Sequence, residues 1–244
     1  MADIFLPAIT VEQMREVDRL MVEEYHITLP QMMEHAGRNL ADFSLEWLKK
    51  RNSNKTQFNI VVACGTGNNG GGGMVTARFL VNKGHDIIVV LTGHSEKLKP
   101  VPANHWKTLK AMGVQTIEAN STDSIPVYTN SDLIIDAVVG YSLKGELRGV
   151  PARVVRDIMQ SGKEDVISLD VPSGLDATSG EASPMCIKAV ATMTLALPKT
   201  GLVVENAKEC TGDVYLADIG VPPSLYSNLG LSVDPFKSDS VVSI

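Results

Sequence analysis

The segment Cys64-Gly65-Thr66-Gly67-Asn68-Asn69-Gly70-Gly71-Gly72-Gly73 follows the apolar run Ile60-Val61-Val62-Ala63 and precedes an apolar, helix-forming stretch from Met74 to Lys83. A strand that breaks into glycines and re-enters a helix is an anion-handling arrangement. Glycine lets backbone N–H groups approach a phosphate, and the helix N-terminus adds partial positive charge. Gly65, Gly67 and Gly70 satisfy G-x-G-x-x-G, a pattern of low specificity alone. Asn68 and Asn69 sharpen it, because adjacent amides offer donors and acceptors and tolerate left-handed backbone. A loop of this kind between strand and helix constrains the chain to an α/β fold with a parallel sheet.

The rest of the chain agrees. Strands are predicted over Phe58–Cys64, Ile87–Leu91, Gln115–Glu118, Leu133–Val139, Val166–Val171, Ala189–Leu197 and Asp213–Ile219, and most are near-continuously apolar. Helical spacing recurs between them, over Ala103–Met112 with Trp106 and Leu109 inward, and from Pro151 through Met159. Apolar strands alternating with helices imply a mainly parallel sheet covered on both faces. Two helices precede the first strand. Thr10 and Gln13 form a capping box for one, with Val11, Met14, Val17 and Met21 on a shared face. The second starts near Pro30 and carries Met32, Met33, Ala36, Leu40, Phe43 and Trp47; both are expected at the edge of the domain. Ala119–Asn130 reads as a polar loop, and residues 1–244 as a single domain.

Composition excludes several functions. The 28 acids against 22 bases give a net charge of -6, and no basic run appears, which argues against nucleic-acid binding. Cys64, Cys186 and Cys210 are far apart, with neither disulfide nor metal-ligand spacing, as in a reducing cytoplasm. Cys64 reads as a small buried thiol. No run is long and apolar enough to span a membrane, and Met1-Ala2-Asp3-Ile4 has no leader character. The five histidines form no cluster along the chain.

Ligands of doubly wound folds sit beyond the carboxyl ends of the strands. Three strand ends carry chemistry: the glycine–asparagine segment, Asp136 with Gly140-Tyr141-Ser142-Leu143-Lys144-Gly145-Glu146-Leu147-Arg148, and Asp170-Val171-Pro172-Ser173-Gly174-Leu175-Asp176. Asp170 ends an apolar strand and so must be paired, hydrated or functional; capping the Pro-Ser-Gly turn is the structural alternative. Asp136 lies inside a strand and calls for a cation. No base neighbours it in sequence, so a monovalent ion with Asn69 and Ser173 as neutral oxygen donors would meet the need, potassium rather than zinc. Lys144 and Arg148 are phosphate candidates, with a solvated loop the alternative for both.

Gly65-Thr66-Gly67-Asn68-Asn69-Gly70-Gly71, Asp136-Ala137-Val138-Val139-Gly140, Asp170-Val171-Pro172-Ser173-Gly174-Leu175-Asp176 and Met33-Glu34-His35-Ala36-Gly37-Arg38 together resemble the NAD(P)H-hydrate epimerase family, the YjeF N-terminal domain. The resemblance runs from about Thr10 to Val221-Pro222-Pro223. It implies a Rossmann-like three-layer sandwich, usually a homodimer, that interconverts the R and S forms of hydrated NADH or NADPH. It also implies a separate dehydratase acting on the S form, since no dehydratase follows before Ile244. By position, Asn69, Asp136 and Ser173 match the family's potassium ligands. Asn68, Asn69, Gly70, Gly71 and Gly72, the loop Gly140, Tyr141, Ser142, Leu143, Lys144, Gly145 and Glu146, and Asp170 match its substrate contacts. Asp170 is the catalytic acid–base candidate. Gly72 stands where the family commonly has Asp. That departure keeps open a non-catalytic nucleotide-binding or scaffold protein on the same fold. An ordinary dehydrogenase is the weaker third reading, because the second strand ends Leu91-Thr92-Gly93-His94 without a ribose-binding acid.

Overall fold

A computed structural model describes residues 6–119, 126–234, 236 and 240–244. Met1–Ile4 and residues 120–125 of the polar stretch fall outside the described residues. The elements in chain order are α1 (Val11–Glu23), α2 (Leu29–Arg51), β1 (Asn59–Cys64), α3 (Asn68–Asn82), β2 (Asp86–Leu91), α4 (Pro100–Ala111), β3 (Gln115–Glu118), β4 (Leu133–Ala137), α5 (Gly149–Gln160), β5 (Val166–Leu169), β6 (Ala191–Leu195), α6 (Lys208–Thr211), β7 (Asp213–Ala217), α7 (Pro223–Asn228) and β8 (Val241–Ser243). They build an eight-stranded sheet in the order β3-β2-β1-β4-β5-β6-β7-β8. The first seven strands in that order pair in parallel, and β8 closes the edge antiparallel to β7.

The apolar strands are explained by burial on both faces. Ile60, Val62 and Cys64 of β1 pack with Leu40, Met74, Leu80 and Leu109 from α2, α3 and α4. The alternate residues Val61 and Ala63 join Val154, Val155 and Ile158 of α5 on the opposite face. Each fully buried aliphatic side chain of this kind contributes roughly 1.5–3 kcal/mol. Cys64 is a fully buried thiol, raised above the usual thiol range by burial and then by the Asp136 carboxylate.

The two N-terminal helices divide their tasks. The α1 capping box forms as the sequence predicts: Gln13 N–H donates to Thr10 Oγ1 at 3.1 Å and Thr10 N–H to Gln13 Oε1 at 2.9 Å. The apolar face of α1 packs with Leu225 and Tyr226 of α7 and with Ala196 and Leu197. α2 does not lie at the edge, as the sequence reading placed it. It covers the sheet face beside α3, because Leu40, Leu45 and Leu48 share one core with Ile167, Met193 and Ala217 and Phe43 packs on Tyr215 of β7.

A second correction concerns the glycines. The helix predicted from Met74 begins at Asn68, so the segment from Asn68 to Gly73 is its first turns and not a loop. Close approach is the reason. A Cβ on Gly70 would lie 1.9 Å from the Gly65 carbonyl oxygen, and one on Gly73 would lie 2.5 Å from Ala137 Cβ. The glycines thus seat α3 against β4 and the preceding turn, leaving Gly65, Thr66 and Gly67 as the true loop. The short elements α6, α7 and β8 were not legible in the sequence pattern, being too brief for periodicity to register.

β1 lies between β2 and β4, so the chain moves outward in opposite directions from this point, and a crevice opens at the carboxyl ends of β1 and β4. Gly37 keeps α2 close to it. A Cβ there would meet Val75 Cγ1 at 2.5 Å and the Gly72 carbonyl oxygen at 2.9 Å. Gly37→Leu is therefore expected to destabilise the protein by about 1–3 kcal/mol through overpacking. Urea unfolding should show a lower midpoint with an unchanged slope; a wild-type midpoint would refute this packing argument.

Candidate active site

A cavity of about 280 Å³ sits over the crevice. Its floor is formed by Gly65–Asn69 after β1, Val138–Ser142 after β4, Asp170 after β5 and Lys199 after β6; Met14, Asp18, Met32 and Met33 from α1 and α2 form the roof. Of the residues singled out in the sequence, Asn68, Asn69, Gly72, Gly140, Tyr141, Ser142 and Asp170 line this cavity. Gly70 and Gly71 are buried behind them; a Cβ on Gly71 would meet Met33 Sδ at 2.8 Å. Leu143, Lys144, Gly145 and Glu146 are outside the wall, and Lys144, Gly145 and Glu146 are exposed. Arg148 is exposed as well, at the N-cap of α5.

α3 offers its N-terminus to the cavity. Its first internal bond runs from Gly71 N–H to the Gly67 carbonyl at 3.1 Å, so the N–H groups before Gly71 have no carbonyl within the helix. Gly67 is the N-cap, and a Cβ there would meet nothing within 4 Å. Thr92, at the end of β2, also lines the cavity with a buried Oγ1 that has no hydrogen-bond partner among the described residues.

Asp170 does not cap the turn after β5. Its backbone is left-handed, φ +68°, a region that Asp tolerates better than most residues and that commonly costs of order 1–3 kcal/mol. This conformation turns the carboxylate toward Lys199, whose Nζ lies 2.5 Å from Asp170 Oδ1. Both side chains are buried, 5% exposed for Asp170 and 0% for Lys199. Lys199 Nζ also donates to the Leu195 carbonyl at 2.9 Å and Thr194 Oγ1 at 3.2 Å. Asp170 Oδ2 accepts the Tyr141 N–H at 2.9 Å. Gly140 makes this approach feasible, since a Cβ there would lie 2.7 Å from Asp170 Oδ2 and 3.1 Å from Asn69 Oδ1. Ala196, just after β6, is also left-handed at φ +63°, so two neighbouring strands leave the sheet through unfavourable backbone to bring Asp170 and Lys199 together.

Tyr141 ties in a second carboxyl group. Its hydroxyl donates to Asp18 Oδ2 at 2.5 Å, and Lys199 Nζ stands 5.7 Å from its ring centre. Burial raises the Asp18 carboxyl above the ordinary aspartate range, opposed by the Tyr141 hydrogen bond and the Lys199 charge. Burial and the Asp18 charge also push the Tyr141 phenol upward.

Asp136 lies beneath this layer and is fully buried. Its carboxylate accepts from Ser173 Oγ at 2.6 Å, Ser173 N–H at 2.8 Å, Ser168 Oγ at 2.9 Å and Val138 N–H at 3.2 Å. No Lys or Arg pairs with it among the described residues. These four donors meet part of the need for a partner that the sequence reading assigned entirely to a cation. Burial nevertheless raises its carboxyl, the hydrogen bonds from Ser173 acting against this. The surrounding donors are hard oxygens: Asp136 Oδ1, Ser173 Oγ and the Val139 carbonyl, the last 3.3 Å from Ser173 Oγ. Such a set fits a monovalent cation, and no three His, Cys, Asp or Glu side chains cluster among the described residues.

Sequence reasoning missed Lys199, Asp18 and Thr92. Lys199 follows a strand in Pro198-Lys199-Thr200-Gly201, the strand–turn position from which Asp170 had been selected. Asp18 stands four residues after Met14 and three before Met21, so helical spacing puts it at the margin of the buried face, where it is half-buried.

A Rossmann-type sheet with a glycine-led helix at its switch point and a buried acid–lysine pair over the cavity defines an α/β nucleotide-site enzyme class. Residues 29–201 match the model of the YjeF-related protein N-terminus family, and the chain belongs to that family. A protein from Dehalogenimonas lykanthroporepellens named NAD(P)H-hydrate epimerase is 40% identical, across 91% of this chain and 86% of its own length. One of the same name from Rhodopirellula baltica is 31% identical, across 90% and 87% respectively. In Moorella thermoacetica a bifunctional NAD(P)H-hydrate repair enzyme, Nnr, is 35% identical across 89% of this chain, which spans 41% of that longer protein. The crystal structure of the yeast protein YNL200c superposes with a TM-score of 0.82 at 24% identity, covering 98% of this chain and all of that one, and shows the shared fold.

Lys199→Met should leave Asp170 as a buried, uncompensated charge and cost about 3–5 kcal/mol. Adding Asp170→Asn should recover much of the loss. A double-mutant cycle by chemical denaturation measures the coupling, and additive effects would refute a dominant pair.

Proposed function

We propose that this chain is an epimerase that interconverts the R and S forms of NADH or NADPH hydrated on the nicotinamide ring. The observation that carries the proposal is a carboxylate, Asp170, held on strained backbone over the cavity by Lys199 and the Tyr141 N–H. The 40% identical relative bearing the epimerase name supports the substrate assignment. The chemistry asks little of the protein. The ring nitrogen lone pair expels the hydroxyl once that oxygen is protonated, and water returns to the other face of the iminium ion. Asp170 accepts the proton of the returning water, and donates it in the reverse direction. Lys199 compensates the buried carboxylate, and the N-terminus of α3 favours the pyrophosphate. The methionines of the roof exclude bulk water.

Potassium is the proposed cofactor, held by Asn69, Asp136 and Ser173. When bound, the ion supplies positive charge against Asp136 and near the anionic substrate. The substrate contacts are proposed to be Asn68, Asn69, Gly70, Gly71 and Gly72, the loop from Gly140 to Glu146, and Asp170. The working form is proposed to be a cytoplasmic homodimer that passes the S form to a dehydratase. No helix among the described residues is long and apolar enough to cross a membrane.

The scaffold alternative rests on Gly72. Gly72 lines the cavity, and a Cβ there would lie 2.9 Å from Leu169 Cδ2. Leu169 Cδ2 is the end of a flexible side chain, so a carboxylate at position 72 asks only for a small shift of that group, and Asp170 and its partners are intact.

Two experiments test the proposal. Asp170→Asn keeps an oxygen to accept from Lys199, so binding should persist while epimerisation falls about 100-fold or more, the usual scale for a lost acid–base group. Activity within a few-fold of wild type would refute the role of Asp170. Gly67→Val should still fold, since the space there is open, at a cost of about 1 kcal/mol for a poorer N-cap residue. It should abolish the rise in melting temperature caused by ADP-ribose, because the side chain blocks the end of α3. A full shift in this variant would place the pyrophosphate elsewhere.

A further inference from the structure

Epimerisation through an iminium ion poses a geometric problem that Asp170 alone does not solve. The hydroxyl leaves from one face of the ring and water returns to the other, so a proton is delivered on one side and collected on the opposite side. A single fixed carboxyl group reaches one face. Enzymes that handle a leaving oxygen and a water on opposite faces place two carboxyl groups across the reacting centre.

The cavity contains a second carboxyl group. Asp18 lines it from α1, in the roof, whereas Asp170 lines it from the floor. The two are held at opposite ends of one residue: Tyr141 gives its N–H to Asp170 Oδ2 at 2.9 Å and its hydroxyl to Asp18 Oδ2 at 2.5 Å. Tyr141 thus links them through two different atoms, its backbone nitrogen and its hydroxyl, and the Asp170 charge adds to burial in raising the Asp18 carboxyl. Their surroundings differ in kind. Asp170 is paired with the Lys199 ammonium, whereas among the described residues Asp18 has no ion pair with a base. The cost of burying its charge favours its protonated form.

We propose that Asp18 is the second acid–base group of the epimerase, serving the ring face opposite Asp170. This rests on the epimerase reading. In one direction the Asp18 carboxyl proton passes to the hydroxyl oxygen, the carbon–oxygen bond breaks with loss of water, and the ring nitrogen lone pair forms the iminium bond. Water then bonds to the same carbon from the other face, and its proton passes to Asp170. The reverse reaction exchanges the roles, and solvent restores the starting protonation of both groups.

The test is Asp18→Asn, with Asp18→Glu as a carboxyl-retaining control. Single epimers of hydrated NADH are incubated in ¹⁸O-water, and inversion and label uptake are measured separately. Inversion is expected to fall about 100-fold in Asp18→Asn. Label uptake without inversion should persist for the epimer whose hydroxyl faces Asp170, because expulsion and return on that face need only Asp170. The Glu variant should recover part of the inversion, and ADP-ribose should bind all three proteins alike. If inversion and uptake fall together in Asp18→Asn, Asp18 only shapes the site and the proposal is overturned. Inversion within a few-fold of wild type overturns it too. If Asp18→Asn fails to fold, the Glu variant decides: inversion lost with uptake retained supports the role through the displaced carboxyl, and equal loss of both overturns it. A wild-type protein with no inversion would overturn the epimerase reading itself, and this proposal with it.

Discussion

The Asp170–Lys199 ion pair is the interaction around which the site is built. Two charges without solvent are tolerated only when each has its remaining partners, and here each does. The Tyr141 N–H completes the carboxylate, while the Leu195 carbonyl and Thr194 Oγ1 complete the ammonium. These contacts require three strand ends to converge, with left-handed backbone at Asp170 and Ala196 and no side chain at Gly140. Unfavourable backbone offset by a paired charge is the pattern expected of a functional site.

The fold supplies the convergence. A parallel sheet brings the carboxyl ends of β1, β4, β5 and β6 to one edge, and the reversal of strand order beside β1 opens space there. The glycines from Gly65 to Gly73 let α3 settle against that edge with its N-terminus facing the opening. α1 and α2 close it from above, contributing Asp18 and the methionines. Below, the Asp136 carboxylate ties the turns after β4 and β5 together through Val138 N–H and the Ser173 hydroxyl and N–H. The same buried carboxylate therefore organises two loops that frame the site, and is the proposed seat of a cation.

Much of this was legible in the sequence. The apolar strands specified a sheet buried on both faces, and the strand-end rule selected Asp170, Asp136 and the glycine–asparagine segment before any coordinates. Asn68, Asn69, Gly140 and Tyr141 were named and do line the cavity. What escaped has physical reasons. The glycine run reads in sequence as an anion-handling loop, although helix-to-sheet contact also demands glycine; the 1.9 Å approach of a Gly70 Cβ to the Gly65 carbonyl oxygen shows the second demand at work. Lys199 escaped because a lone lysine after a strand looks solvated until its partner is known. Asp18 escaped because a charge on a helix is ordinarily assigned to the outer face. Within the loop from Gly140 to Glu146, Gly140, Tyr141 and Ser142 line the cavity while Lys144, Gly145 and Glu146 are exposed outside its wall, a division that local sequence does not reveal.

The central claim is that this paired carboxylate makes the chain a catalyst and not only a receptor for a dinucleotide. It is tested most directly by adding the purified wild-type protein to a single R epimer of hydrated NADH and following the appearance of the S epimer, either resolved directly or consumed by an S-specific dehydratase. The account predicts catalytic approach to the R–S equilibrium at substoichiometric protein. An R epimer that stays unchanged beyond its spontaneous rate, in a protein that still binds ADP-ribose, would contradict it and leave a nucleotide-binding scaffold.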